Sequence, residues 1–125
     1  MPQLNHDAIV SALGQLDGWE FENDALTKEW AFESFREAIA FTNAVAELAD
    51  EADHHPDITI NYDHVSLTLS THSEGGVTEK DVALARTIET SGIGARERRN
   101  RDRRANERRE DERRRNERRT DERRD

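Results

Sequence analysis

"DITINYDHVSLTLSTH", residues 57–72, alternates apolar and polar side chains twice. Ile58, Ile60 and Tyr62 alternate with Thr59 and Asn61; Val65, Leu67 and Leu69 alternate with Ser66, Thr68 and Ser70. Successive side chains of a strand point to opposite faces, so this period predicts two half-buried strands. The polar pair Asp63-His64 between them predicts a hairpin. Hairpins pair antiparallel, and one apolar face per strand implies a sheet whose other face is wet or covered by a partner.

Working outward, the neighbours on both sides read as helices. "SFREAIAFTNAVAELADEAD", residues 34–53, carries the strongest helical period. Phe35, Ala38, Ile39, Phe41, Ala44, Val45 and Leu48 make a broad apolar face. Ser34 and Glu37 have capping-box spacing at its start. Pro56 removes a backbone donor and disfavours helix at His55, so this helix should end before His54. Beyond the hairpin, Gly75-Gly76 breaks the chain. Thr78 and Asp81 then repeat the capping spacing ahead of Val82, Leu84, Ala85 and Ile88, a third amphipathic helix. Upstream, "GWEFENDALTKEWAF", residues 18–32, reads as two short strands about a turn at Asn23-Asp24. Residues 5–14 read as a first helix, with Asn5 as N-cap and Ala8, Ile9, Ala12 and Leu13 on one face. The order α-β-β-α-β-β-α predicts an α+β sandwich: a four-stranded antiparallel sheet with helices packed on one face.

The patterned region ends near "SGIGAR", residues 91–96, giving a folded domain over 1–95 and a tail over 96–125. In the tail an acidic residue followed by Arg-Arg recurs every five residues, from Glu97 to Glu122, and Ala105 is its one apolar residue. No core can form from it, so a disordered or transiently helical polyampholyte is expected. An anionic partner, nucleic acid included, is one reading of its arginines. Attraction to the acidic body of this or a neighbouring subunit is another.

Charge divides the same way. Residues 1–95 hold 18 Asp/Glu and 4 Lys/Arg, a net −14; residues 96–125 hold 15 Arg and 10 Asp/Glu, a net +5. Such a body repels itself at low salt. Near 1 M salt the Debye length falls to roughly 3 Å and the repulsion is screened, so a salt-loving host is expected. The absence of cysteine excludes disulfides, thiolate metal sites and cysteine nucleophiles, and fits a reducing, cytoplasmic setting. No apolar run approaches the length of a membrane span, and the N-terminus does not read as a signal peptide.

Four of the five histidines lie between residues 54 and 72. His54 and His55 sit where a helix gives way to a strand, and His72 ends the hairpin that returns to that point. Asp81, in the first turn of the last helix, can reach the same place; Asp50 and Asp53 lie on the preceding helix end. His64 belongs to the opposite end of the hairpin and His6 to the first helix. Imidazole moves protons near neutral pH, and a neighbouring carboxylate can hold its tautomer. Neither a serine elbow nor a phosphate-cradling glycine loop is present. Proton-transfer catalysis, a Zn²⁺ or Fe²⁺ site, and a purely structural helix end all remain open on spacing alone. Against the metal, the side chains of adjacent residues diverge and aim poorly at one ion.

The residues "DHHPDI" (53–58), "NYDHVSLTLSTH" (61–72) and "GGVTEKDVALA" (75–85), with the looser "GWEFENDALTKEWAFESFREAIAFTNAVAELA" (18–49), resemble the pterin-4a-carbinolamine dehydratase family. The resemblance covers about residues 4–90 and not the tail. It implies the same α-β-β-α-β-β-α fold and dehydration of a 4a-hydroxytetrahydropterin to quinonoid dihydropterin, within tetrahydropterin recycling. No cofactor or metal is implied. Carried over by position, it implies His54, His55, His72 and Asp81 as catalytic residues, with His55 and His72 transferring protons and His54 assisting the departing hydroxyl. Asp50, Asp53, Thr71 and Pro56 are implied as substrate-binding. Where the family often has a glutamate four residues before the first histidine, this chain has Asp50, one methylene shorter. A homodimer or homotetramer is also implied. So is an alternative role, since some members are non-catalytic dimerisation cofactors of a transcription regulator.

Overall fold

Each element begins and ends where its own residues dictate. The computed structural model describes residues 2–97. The elements are α1 (His6–Leu13), β1 (Glu20–Glu22), β2 (Ala25–Ala31), α2 (Phe35–Ala52), β3 (Asp57–Asn61), β4 (His64–Leu69) and α3 (Glu79–Thr90). Asn5 caps α1, its Oδ1 accepting from the Ala8 N–H at 2.9 Å. Ser34 Oγ accepts from the Glu37 N–H at 3.1 Å, but the Glu37 carboxylate reaches the Glu33 N–H, so α2 starts on half a capping box. At α3 both halves are present: Thr78 and Asp81 each accept from the other's backbone N–H. α2 ends before the histidine pair, as Pro56 requires. Asp53 takes the left-handed conformation (φ 52°), and the N–H groups of Asp53 and His54 turn back to the carbonyls of Asp50 and Ala49.

The four strands form one antiparallel sheet in the order β1-β2-β4-β3. The β1–β2 turn falls at Asn23-Asp24, where both residues have positive φ (51° and 61°), the condition for a tight hairpin turn that follows strand twist. The β3–β4 turn is Tyr62-Asp63, one residue earlier than the alternation suggested, because Asn61 pairs with His64. Leu26 stands opposite Leu69 and Trp30 opposite Val65, so these side chains share a face. All four are buried against Ala38, Phe41, Val45 and Ala49 of α2 and Val82, Leu84, Ala85 and Ile88 of α3. Each large side chain buried this way stabilises the fold by about 1.5–3 kcal/mol relative to exposure. Trp30 also packs on Phe41 at 4.8 Å and edge-on to Trp19 at 5.7 Å. The other face carries Thr27, Glu29, Ser66 and Thr68, which are half-buried or exposed.

Of the alternating residues Ile58, Ile60 and Tyr62, the first two lie in β3 and Tyr62 falls beyond its end. Ile58 and Ile60 do lie on the core face, opposite Leu67 and Val65. Yet β3 is one of the two edge strands, and both isoleucines are 36% exposed. β3 pairs only with β4 and has no strand beyond it, so its outer flank stays open although α2 touches the strand. Tyr62 is a turn residue with positive φ (57°), stacked on the exposed Phe35 at 6.4 Å.

Two fastenings hold the ends. The Glu89 carboxylate of α3 accepts from the Trp19 indole N–H at 2.9 Å and from Lys28 Nζ at 2.7 Å. After α3, Ile93 packs against the core, Arg96 pairs with Glu37 at 3.5 Å, and Glu97 is buried. The expectation of a low-complexity tail falls, past Glu97, on residues 98–125, outside the described residues. Among the described residues no helix is long and apolar enough to cross a membrane.

Candidate active site

Three local structures converge on Asp81. The first is the end of α2: with Asp53 left-handed, the chain reverses and presents His54. The second is the loop after β4. Thr71 pairs with Gly76 as an isolated bridge, its N–H donating to the Gly76 carbonyl at 2.8 Å. A 3-10 turn, His72–Glu74, fills the loop, and Gly75 closes it with φ 78°, a conformation glycine adopts without strain. The third is the first turn of α3, where Asp81 occupies the third position of the capping box.

His54 Nε2 lies 2.5 Å from Asp81 Oδ1. Asp81 Oδ2 accepts from the Thr71 hydroxyl at 2.8 Å and from the Thr78 N–H at 2.9 Å. The Thr71 and Thr78 hydroxyls are 2.8 Å apart. Asp81 and Thr78 are fully buried, Thr71 nearly so, and the His54 side chain is 11% exposed. Burying a carboxylate is costly unless it is paired and hydrogen-bonded, and here every contact serves that end.

His55, one residue on, forms the opposite kind of pair. Its Nε2 lies 2.9 Å from Asp50 Oδ1, with both side chains largely in water. Consecutive imidazoles thus face different carboxylates, one dry and one wet. This divergence is what adjacent side chains in an extended segment produce.

The structure therefore brings His54, Asp81 and Thr71 together, and His55 with Asp50. Asp53 serves through its backbone, and the half-buried Pro56 separates the pair from β3. His72 follows Thr71 directly, in the exposed 3-10 turn rather than on the strand as expected; β4 stops at Leu69 because the chain turns off to make the Thr71–Gly76 bridge. Among the described residues no side-chain hydrogen bond joins His72 to either pair, and no three His, Cys, Asp or Glu side chains are grouped to hold a metal ion. His64 pairs with Asp63 at the far turn. Sequence reasoning missed Thr78, which it read only as a helix start. The local signal was there: an N-cap hydroxyl three residues before Asp81, an acid already counted with the histidine cluster.

An α+β sandwich with a buried imidazole–carboxylate pair between the end of one helix and the start of another defines the class. Residues 2–91 match the family model described as pterin 4 alpha carbinolamine dehydratase. A Thermomicrobium roseum protein named "Putative pterin-4-alpha-carbinolamine dehydratase" is 54% identical over 88 residues, 70% of this chain and 95% of that protein. One of the same name from Sulfolobus acidocaldarius is 48% identical over 86 residues, 69% of this chain and 94% of that protein. A crystal structure from Brucella melitensis, titled a transcriptional coactivator/pterin dehydratase, is 38% identical, with TM-score 0.67, covering 70% of this chain and 95% of that one. The chain belongs to the pterin 4 alpha carbinolamine dehydratase family.

Proposed function

We propose that this chain dehydrates a 4a-hydroxytetrahydropterin to the quinonoid dihydropterin. The observation that carries the reading is the buried His54–Asp81 pair beside the exposed His55–Asp50 pair. The reaction breaks the bond between the carbinol carbon and its hydroxyl. It also breaks the N–H bond on the adjacent ring nitrogen and forms a carbon–nitrogen double bond. One proton leaves nitrogen and one joins the hydroxyl to make water; nothing is oxidised or reduced. Such a reaction needs two proton-transfer groups in opposite states. His55 and His72, both open to solvent, take the nitrogen proton and return it to bulk water. His54, held by Asp81, serves the departing hydroxyl. No cofactor or metal has a part in this scheme. A cytoplasmic location and a homodimer or homotetramer are part of the same proposal, the latter supported by the bare outer edge of β3 and its exposed isoleucines.

The Brucella melitensis structure, by its title, is also a transcriptional coactivator, which favours a binding role as the second reading. Turnover of 4a-hydroxytetrahydropterin in high-salt buffer, corrected for spontaneous dehydration, decides between the two. We expect a rate well above background that His55→Ala and His72→Ala each lower by about 10²-fold while the protein stays folded. A folded wild-type chain with no rate above background would leave the binding role.

A further inference from the structure

The donors around Asp81 admit one consistent direction. Thr78 Oγ1 already accepts from backbone N–H groups at the start of α3, that of Lys80 at 3.2 Å among them. Its own hydrogen is therefore the one that faces Thr71 Oγ1, 2.8 Å away. Thr71 then has its single hydrogen free for Asp81 Oδ2. That oxygen also takes the Thr78 N–H, so it has two donors and carries no proton itself. Oδ1 remains, and it meets His54 Nε2.

We propose that Thr78 and Thr71 form a one-way hydroxyl relay into Asp81, and that the relay fixes His54 with its Nε2–H directed to Asp81 and Nδ1 as its working nitrogen. Thr71 and Thr78 are then positioning residues. The inference rests on the dehydratase reading for what Nδ1 does: His54 as imidazolium gives its Nδ1 proton to the leaving hydroxyl. The carbon–oxygen bond pair goes to oxygen, water departs, and His54 is left neutral in the tautomer Asp81 already holds. The ring-nitrogen proton goes to His55 or His72.

The test reads the tautomer directly and does not need turnover. Two-bond ¹H–¹⁵N correlation spectra of the full chain, labelled with ¹⁵N-histidine and examined in alkaline solution, distinguish Nε2–H from Nδ1–H imidazole. His54→Gln assigns the signal. We expect the Nε2–H form for His54. An Nδ1–H form would overturn the proposal whatever the turnover result. Thr71→Val, which removes the hydroxyl at nearly constant volume, should shift the His54 signals towards mixed tautomers, and Thr71→Ser should restore them. In the active protein the same change should lower kcat about tenfold with KM within about twofold, with recovery in Thr71→Ser. Unaltered His54 signals and kcat in folded Thr71→Val would overturn the relay. Should that variant not fold, Thr78→Ser, which keeps the hydroxyl, must retain the wild-type tautomer, and its loss there would count equally against the relay. A fixed Nε2–H tautomer in a chain that does not dehydrate pterins would uphold the relay and remove only the dehydratase reading.

Discussion

Asp81 is committed at both carboxylate oxygens in a dry place. Asp81→Ala leaves His54 Nε2, the Thr71 hydroxyl and the Thr78 N–H without their acceptor. Removing one partner of a buried, hydrogen-bonded charge pair costs roughly 3–5 kcal/mol, so urea unfolding should show a loss of that order. Asp81→Asn keeps the volume and one carbonyl oxygen, and its loss should be roughly 1–3 kcal/mol. An alanine variant that loses under about 1 kcal/mol would show that water replaces the carboxylate without difficulty. The exposed Asp50–His55 pair is different: solvated ion pairs are worth about 0–1 kcal/mol, so Asp50→Ala should scarcely move the unfolding midpoint. The sequence displayed half of Asp81's role. Thr78-x-x-Asp81 is a local pattern, legible because helix capping is local chemistry. The other half, the oxygen given to His54, joins positions 27 residues apart and depends on how α2 and α3 cross the sheet. No periodicity encodes that; the order of the elements only brought Asp81 within reach of the histidine cluster, without saying which imidazole it would meet.

At the scale of elements, alternation fixes which way a strand's side chains point, not whether anything covers them. Ile58 and Ile60 point as their period says, but β3 is an edge strand that α2 covers only in part, and the strand order that puts it there is not written in residues 57–61. The turn at Tyr62-Asp63 escaped for a related reason. A tyrosine at positive φ is uncommon, so Asp63-His64 looked the better turn. The bare edge yields a prediction. Ile58→Lys should cost an isolated chain only about 1 kcal/mol, since the side chain is already part-exposed and lysine can lay its stem along the sheet. If β3 is the seam of an oligomer, the same change should lower the mass measured by light scattering to that of one chain. An unchanged mass would move the seam elsewhere.

For the whole molecule the governing quantity is charge. The chain carries a net −9 only because residues 98–125 contribute 14 arginines against 9 acids; without them the remainder stands at −14. Between about 0.1 M and 1 M salt the Debye length shortens from about 10 Å to about 3 Å. The thermal midpoint should therefore rise with NaCl across that range, and should rise more steeply after deletion of residues 98–125. Turnover per folded chain should be the same in both forms, because every residue of the proposed site lies before residue 82. A salt-independent midpoint would mean that the acids are spaced too widely to repel; lost turnover on deletion would tie the tail to the chemistry.

The clasp between Trp19 and Glu89 has an optical consequence. Glu89 lies on α3, the helix that also carries Asp81, and its carboxylate meets the indole N–H across 70 residues of chain. A displacement that lifts the whole of α3 from the sheet hydrates a buried indole and separates Asp81 from His54 together. The fluorescence of this protein therefore contains a built-in gauge of its site. A red shift of the Trp19 emission, isolated in a Trp30→Phe background, marks the moment at which the imidazole loses its carboxylate, with no label and no substrate added.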